Sequence, residues 1–509
     1  MSKHLSHCQN TFKGSKLARL LGNLSGEEMD SFHKFLSSPW FNGSAKVRSI
    51  FQKVKGHHPT FHSPRLTHRS IFKKAFPGEA FNRHKLDKYL SDLCKLLQRF
   101  MAQQEFEKDE NLRQGMVTRF LGQHGQYGLL EKHHREAVQK LERQPIKGAA
   151  VYGQQLQLLQ ELYFNPDCKK LPGAGAVLPK MMNALDREYA LRKLFLACEA
   201  INVAQVAGEQ LNISLPDEMQ LWLSTFADDS HPVFRVFVNL NRLLQGEGDE
   251  GIFTETMQLA LEHFDEMEYM ERTAAISLLI NHAARKYHQT GRRCFLNYVH
   301  QLQLFGLQKN MFLYNGKMNE STFFNISNTA VLLGKIEYAN DFIEKNKKYL
   351  NEKEREEVVA LAKAFLSLHD NKAETALEQV SRVKFISLRY KLIARPLKSQ
   401  CLFEIQKTKP GYRRVLHSEL NAFKKFINKN NKIQKARKTR YLDFIYILKK
   451  INNYSGKHEE LESLKNKFKT GRPIVARKWL LDKINGISKK GEPSPEASPV
   501  DKSINLLTG

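Results

Sequence analysis

The residues best suited to chemistry are the cations of one stretch near the C-terminus. Between positions 407 and 450 there are 14 Lys and Arg residues against two acidic residues, Glu419 and Asp443. Such an excess attracts phosphate groups or the carboxylates of an acidic protein. Seven of these cations lie off the apolar stripes of two predicted helices and form a candidate surface for an anionic partner: Arg413, Arg414, Lys424, Lys425, Arg437, Lys438 and Arg440.

This charge also has a simpler interpretation. The chain has 80 Lys and Arg residues against 53 Asp and Glu residues, so a basic helix face also arises as ordinary solvated surface. Cations at the start of the second helix, from Lys435 onward, oppose the helix dipole, so local helix stability does not explain them. The aromatic residues of the stretch fall on the apolar stripes, which disfavours base stacking. Electrostatic binding and a solvated face both remain open.

No residue pattern predicts catalysis, a cofactor or a metal site. The sequence has neither a GxxxxGK[ST] phosphate loop nor a GxSxG turn. His458 opens an HExxH-like pattern, but Glu462 occupies the position of the second histidine. Four histidines cluster between His57 and His68, but Pro59 interrupts any helix that would present them together. We therefore predict a protein that is not an enzyme and uses no cofactor.

Composition predicts a folded cytoplasmic protein. Hydrophobic residues make up 41% and charged residues 26% of 509 positions, as in ordinary globular proteins. The six cysteines are far apart without a CxxC spacing, which is typical of a reducing compartment. No secretory leader is evident, and no apolar run approaches the roughly 20 residues of a membrane-spanning helix. We predict no membrane span.

Apolar residues recur at helical spacing throughout, which predicts an all-α chain. In residues 1–110, short helices that stop at prolines indicate a compact N-terminal helical domain. The pair Trp40-Phe41 follows one such stop at Pro39 and is either an exposed hot spot for a partner or, more commonly, a plug over the helix ends.

In residues 111–411, the spacing of small and apolar residues is typical of helical hairpins. Gly334 with Ala339 and Asn371 with Ala376 show the five-residue offset typical of tetratricopeptide hairpins, where a small residue ends the first helix and an alanine lies early in the second. Large residues at Phe253 and Leu296 break the consensus, so we predict an α-solenoid of degenerate tetratricopeptide-like hairpins. Residues 412–486 then form basic C-terminal helices, and residues 487–509 form a disordered tail.

The chain also resembles a known family. The segments 28–42, 71–77 and 89–100 look like the N-terminal region of a family of uncharacterised bacterial all-helical proteins, and segments 185–199 and 334–350 are similar to its tetratricopeptide-like body. The resemblance covers most of residues 15–480. It implies an all-helical chain with a repeat-like body, and it implies no activity, cofactor or catalytic residue.

The sequence thus predicts a non-enzymatic helical-repeat scaffold that binds protein partners in an unknown pathway. The alternative is a nucleic-acid-associated protein whose basic helices bind the phosphate backbone.

Overall fold

The protein is almost entirely helical. Its computed structural model describes residues 12–143, 148–165, 174–207, 232–454, 458–469 and 474–491. Helix accounts for 79% of the structure, with 22 α-helices among the described residues. The predicted all-α fold class is therefore confirmed, whereas the solenoid arrangement stays a prediction.

The helices that begin before residue 200 are α1 (Lys16–Leu21), α2 (Gly26–Ser37), α3 (Ala45–Lys55), α4 (His68–Ala75), α5 (Arg83–Lys108), α6 (Glu110–Gln123), α7 (Tyr127–Glu142), α8 (Ala149–Tyr163) and α9 (Val177–Ala207). Those that follow are α10 (Pro232–Gln245), α11 (Glu250–Glu262), α12 (Tyr269–Thr290), α13 (Arg293–Gln308), α14 (Glu320–Leu332), α15 (Ile336–Asn346), α16 (Glu352–His369), α17 (Ala373–Arg382), α18 (Leu388–Ile405), α19 (Tyr412–Lys429), α20 (Lys435–Asn452), α21 (His458–Lys469) and α22 (Arg477–Gly491).

The chain forms two compact units. The first consists of Met1–Gln144 and Val151–Leu185, and the second of Pro145–Ala150 and Asp186–Gly509. The first unit thus continues past residue 110, where the sequence placed the end of the N-terminal domain. The predicted division into 1–110, 111–411, 412–486 and 487–509 stays a prediction.

The C-terminal helix is longer than the sequence indicated. α22 ends at Gly491, five residues into the segment 487–509 that was predicted to be a tail. The helix continues because Ile487 packs against a hydrophobic cluster of the second unit. The rest of the predicted tail lies outside the described residues.

Short helices in the first unit begin at polar caps and bury a phenylalanine-rich core. Ser25 accepts a hydrogen bond from the backbone N–H of Glu28 at 3.1 Å, and the Glu28 carboxylate accepts one from the N–H of Ser25 at 2.7 Å. This capping box fixes the start of α2. Along that helix Phe32 meets Phe51 of α3 edge to face, with ring centroids 4.9 Å apart. The apolar periodicity of the sequence therefore corresponds to a packed core.

The aromatic pair after Pro39 divides between core and surface. The ring of Phe41 stacks on that of Phe35 at 4.1 Å and covers the end of α2. Trp40 points to solvent, with 86% of its surface exposed. Phe41 therefore covers the helix end, and Trp40 is exposed, while a role of Trp40 as a hot spot for a partner stays a prediction.

The hairpins of the second unit turn where small residues were noted in the sequence. Gly334, between α14 and α15, has a φ of 80°, and Asn371, between α16 and α17, has a φ of 59°. Both values lie in the left-handed region, which glycine and asparagine adopt at the lowest cost. Ala339 and Ala376 are fully buried early in the second helices, so the two helices of each hairpin pack closely.

Bulky residues replace the alanine in the earlier hairpins. Phe253 of α11 is fully buried, and its ring stacks on that of His282 of α12 at 5.7 Å. An aromatic pair thus fills the space between these helices. Helices two apart in the chain also pack on each other, namely α10 on α12, α14 on α16, and α16 on α18.

Strand is confined, within the described ranges, to one ribbon of β1 (Leu313–Tyr314) and β2 (Lys317–Met318), joined by an Asn-Gly turn. No helix in the described part of the chain is both long and apolar enough to cross a membrane.

Candidate anion-binding surface

The candidate cations lie on α19 and α20, which form an antiparallel hairpin with its own buried stripe. Leu416, Leu420, Phe423 and Ile427 recur at helical spacing on α19 and are buried. Phe423 meets Tyr441 of α20 edge to face, with ring centroids 5.8 Å apart. Because these apolar stripes face inward, the remaining positions of both helices are left for solvent.

The structure places the seven predicted residues at the surface of this hairpin, as the sequence indicated. Lys438 is half-buried and the other six side chains are exposed. We call α19 and α20, with the loop between them, the basic hairpin. From residue 412 to residue 452 it contains twelve Lys and Arg residues against two acidic residues.

The antiparallel arrangement places five of the seven cations in the half of the hairpin that contains its turn. The Nζ of Lys438, in the first turn of α20, donates a hydrogen bond to the backbone oxygen of Asn428 in the last turn of α19 at 3.4 Å. The ends of the two helices therefore lie side by side here. We call the cations at this end the turn group: Lys424, Lys425, Arg437, Lys438 and Arg440.

The other two cations lie at the opposite end of the hairpin. The Nη2 of Arg413 donates a hydrogen bond to the backbone oxygen of Asn452 at 3.1 Å, so the start of α19 meets the end of α20. Arg413 is eleven residues before Lys424, and Arg414 is eleven before Lys425. Eleven residues make about three helical turns, so each arginine lies on the same face as its lysine, about 16 Å away along the axis.

None of the seven cations forms an ion pair with a carboxylate in the part of the chain that the structure describes. The one carboxylate on α19, that of Glu419, is held instead by two cations of α18. Its oxygens lie 2.9 Å from Arg395 and 3.5 Å from Lys398, and its side chain is only 14% exposed. The positive charge of the hairpin is therefore not neutralised locally.

Like charges also act on one another within the hairpin. Burial, and next the positive charge of Lys424, lower the pKa of Lys449 below its usual value. The Nζ of Lys449 is held by the amide oxygen of Asn421 at 2.5 Å, and an amide supplies a hydrogen bond without a compensating charge. The hairpin therefore carries some electrostatic repulsion that an anion would relieve.

The described portion of the acidic stretch, residues 232–271, does not supply the missing partner. In the described portion of the stretch 209–271, Glu250 pairs with Arg292 at 2.7 Å and Asp265 pairs with Lys309 at 2.5 Å. Glu255 pairs with Arg235. These three acidic residues form ion pairs with other cations, and none of them pairs with any of the seven cations of the basic hairpin. Residues 209–231 of the stretch lie outside the described residues.

A second basic region was not noticed in the sequence. An open groove of about 460 Å³ lies along α16 and α17, and its cations are Lys347, Arg355, Lys363 and Arg382. Glu344 pairs with both Lys347, at 2.5 Å, and Lys363, at 2.6 Å. The two lysines lower the pKa of Glu344 to about 2. Lys347 is only three residues from Glu344, but Lys363 is nineteen residues away on another helix, so no local pattern could have revealed the groove.

The histidines show no metal centre. The described residues contain no group of three or more His, Cys, Asp or Glu side chains placed to hold a metal ion. His58 of the N-terminal cluster instead contacts the backbone oxygen of Leu24 at 2.8 Å, and His133 contacts the hydroxyl of Thr118 at 3.2 Å. Both histidines therefore have local structural contacts.

Comparison with known proteins adds no functional information. No family model, curated protein or solved structure matches the chain. The resemblance stated from the sequence therefore stays an expectation, and the site has to be argued from its own geometry.

Proposed function

We propose that this chain is a non-enzymatic cytoplasmic scaffold of helical hairpins, and that it binds an anionic macromolecular partner on the basic hairpin. Packing of α10 on α12, of α14 on α16 and of α16 on α18 supports a degenerate tetratricopeptide-like array, because in these three cases a hairpin contacts the next one through its first helix. Such stacking leaves the remaining helix faces for partners.

The observation that carries this proposal is the lack of ion pairs on the basic hairpin. Some exposed lysines and arginines elsewhere in the chain pair with a carboxylate three or four residues away, as Lys95 does with Asp92 and Arg135 with Glu131. The seven cations have no such partner among the described residues, although the same helices bury an ordinary core. Their field therefore extends into solvent, where it attracts an anion.

Chromatography on an immobilised sulfated polysaccharide tests the proposal without assuming the class of partner. In the hairpin variant, the turn group is changed to glutamine: Lys424→Gln, Lys425→Gln, Arg437→Gln, Lys438→Gln and Arg440→Gln. The matched control removes three lysines and two arginines that form local ion pairs: Lys95→Gln, Lys108→Gln, Lys345→Gln, Arg83→Gln and Arg135→Gln. Both variants change the net charge equally.

We expect the hairpin variant to elute at clearly lower salt than the wild-type protein, and the control to elute near the wild type. The reason is that a polyanion binds where cations are close together and unpaired. Circular dichroism checks that both variants keep their helix content. Equal shifts in the two variants would show that only net charge matters, and would contradict the proposal.

A further inference from the structure

We infer that the anionic partner of the basic hairpin is a nucleic acid, bound through its phosphate backbone. This inference rests on the proposed function and narrows it to one class of ligand. Three features of the hairpin distinguish a phosphate backbone from the surface of an acidic protein: the spacing of its cations, the shortage of apolar anchors between them, and the position of its carboxylates.

The spacing of the cations suits a continuous polyanion. Arg413 and Arg414 lie about 16 Å along α19 from Lys424 and Lys425, because eleven residues separate the members of each pair. A nucleic-acid duplex carries one charge per roughly 1.7 Å of its axis, so about nine or ten phosphates fall within that length. One duplex therefore presents phosphates to the cations at both ends of the hairpin, because its charges recur along its whole length.

The surface between the two ends lacks the centre of a protein interface. Stable protein interfaces have a desolvated core of aromatic or other large apolar anchors. The aromatic rings of Phe423 and Phe444 are buried inside the hairpin. The solvent-facing positions of α19 between its cations include the small residues Ser418 and Ala422. The exposed large apolar side chains of the hairpin are Val415 on α19 and Tyr446 on α20, and the ammonium of Lys467 lies 3.9 Å from the centroid of the Tyr446 ring.

The carboxylates of the hairpin are placed where they do not repel phosphates strongly. The Glu419 side chain faces α18 and is neutralised by Arg395 and Lys398. Only Asp443 remains, half-buried on α20. An interface that recognises a protein partner usually combines both signs of charge to fix its register. The basic hairpin offers positive charge almost alone.

This site binds the phosphates of a nucleic acid and does not recognise its bases. Lysine and arginine side chains that contact phosphates give affinity that depends on salt and carries little sequence information. Phe423, Tyr441 and Phe444 belong to the core of the hairpin and do not stack on bases. The expectation that all aromatic residues of the stretch lie on the apolar stripes is wrong for Tyr446 of α20, which is exposed, but the ammonium of Lys467 already lies 3.9 Å from the centroid of its ring. We therefore expect similar binding to duplexes of different sequence.

Fluorescence anisotropy of the full chain over a series of salt concentrations tests the inference. The probes are a labelled 20-base-pair DNA duplex, an RNA duplex of the same length, and labelled polyglutamate. The wild-type protein is compared with the hairpin variant and the matched control described above. Comparing the DNA and RNA arms distinguishes the two sources of the same phosphate chemistry.

We expect at least one duplex to bind the wild-type protein more tightly than polyglutamate does. Each phosphate contact adds about 0.9 to the slope of log affinity against log salt, so loss of the five cations of the turn group should make that slope shallower by about 4.5. The matched control should change it by less than about one, because its cations contact no phosphate. Two duplexes of unrelated sequence should bind within about threefold of each other, since phosphate contacts carry little sequence information.

The other outcomes separate the inference from the proposed function. Binding of polyglutamate that depends on the turn group, with equal or weaker binding of both duplexes, overturns the inference and leaves an anionic protein as the partner. If no probe binds, or if the control variant weakens binding as much as the hairpin variant, the inference and the proposed function both fail.

Discussion

Two basic regions of the second unit differ in how their cations are paired. In the groove along α16 and α17, Lys347 and Lys363 share the carboxylate of Glu344, and Arg382 pairs with Glu378. On the basic hairpin, the seven cations have no carboxylate partner among the described residues. Because an ion pair cancels most of its own field at a distance, the hairpin is a strong source of positive potential whereas much of the groove's charge is cancelled.

The comparison shows that a count of charges does not locate a binding surface. Both regions are rich in lysine and arginine, although three of the four groove cations, Lys347, Arg355 and Lys363, are half-buried. Only the three-dimensional arrangement shows that Glu344 lies between two lysines while Glu419 faces away from the hairpin surface. An external anion would compete with Glu344 in the groove, and it would meet no competing carboxylate at the turn group.

The largest effect on stability is expected for a substitution in the core of the hairpin, whereas a substitution at the adjacent surface position should have almost none. Phe423→Ala should lower the free energy of unfolding by about 3 to 5 kcal/mol, because it removes a fully buried ring. Lys424→Ala, at the next position, should change it by less than about 0.5 kcal/mol, because this side chain is exposed and unpaired. Urea denaturation of both variants measures the difference. Equal losses would mean that Lys424 has a structural role.

The sequence was sufficient to predict those parts of the site that depend on one helix. The apolar stripe of α19 and the outward position of Arg413, Arg414, Lys424 and Lys425 follow from a period of 3.6 residues. The all-α class follows from the same periodicity along the whole chain. These features are local, so no knowledge of neighbouring helices was needed.

Pairing between helices could not be predicted in the same way. Whether Glu419 neutralises the hairpin depends on how α18 packs against α19, and the groove depends on where α15 places Glu344 beside α16. The pair Trp40-Phe41 shows the same limit, because adjacent aromatic residues with the same local signal end in opposite environments. Tertiary packing decides each of these cases.

An intermediate effect on stability is expected when the groove cations lose their carboxylate partner and are left unpaired, as the cations of the basic hairpin are. Glu344→Gln leaves Lys347 and Lys363 without their carboxylate and should lower the free energy of unfolding by about 1 kcal/mol or less at neutral pH, since the side chains are largely solvent-screened. The variant should also bind a polyanion slightly more tightly. Glu337→Gln, in the first turn of the same helix, is the control for polyanion binding: it makes the same change of net charge and should leave binding unchanged, while it lowers stability only through the helix dipole.

The effect of Glu344 should depend on pH in a defined direction. Its folded-state pKa of about 2 is below the value in the unfolded chain, so its stabilising contribution is present above the unfolded value of about 4.5 and is lost as the pH falls towards 2. The wild-type protein and Glu344→Gln should therefore converge in stability over that range. A constant difference down to pH 2 would contradict the pairing.

The smallest effect concerns repulsion within the hairpin. Lys424→Gln removes a charge that lowers the pKa of Lys449, so at low salt it should leave the stability unchanged or raise it by a few tenths of a kcal/mol. Lys95→Gln should act in the opposite direction, because it breaks an ion pair with Asp92. Melting temperatures at low and high salt measure both, and salt should shrink both differences.

The central claim is that the unpaired cations of the basic hairpin bind phosphates directly. Partial acetylation of lysines, followed by mass spectrometry, measures this for each residue with and without the 20-base-pair duplex. With free duplex at ten times the dissociation constant, about 90% of the sites are occupied, so Lys424, Lys425 and Lys438 should be acetylated up to about tenfold more slowly. Lys95 and Lys345, which are exposed and paired elsewhere, should react at unchanged rates. Unchanged rates at the three hairpin lysines under these conditions would contradict the account.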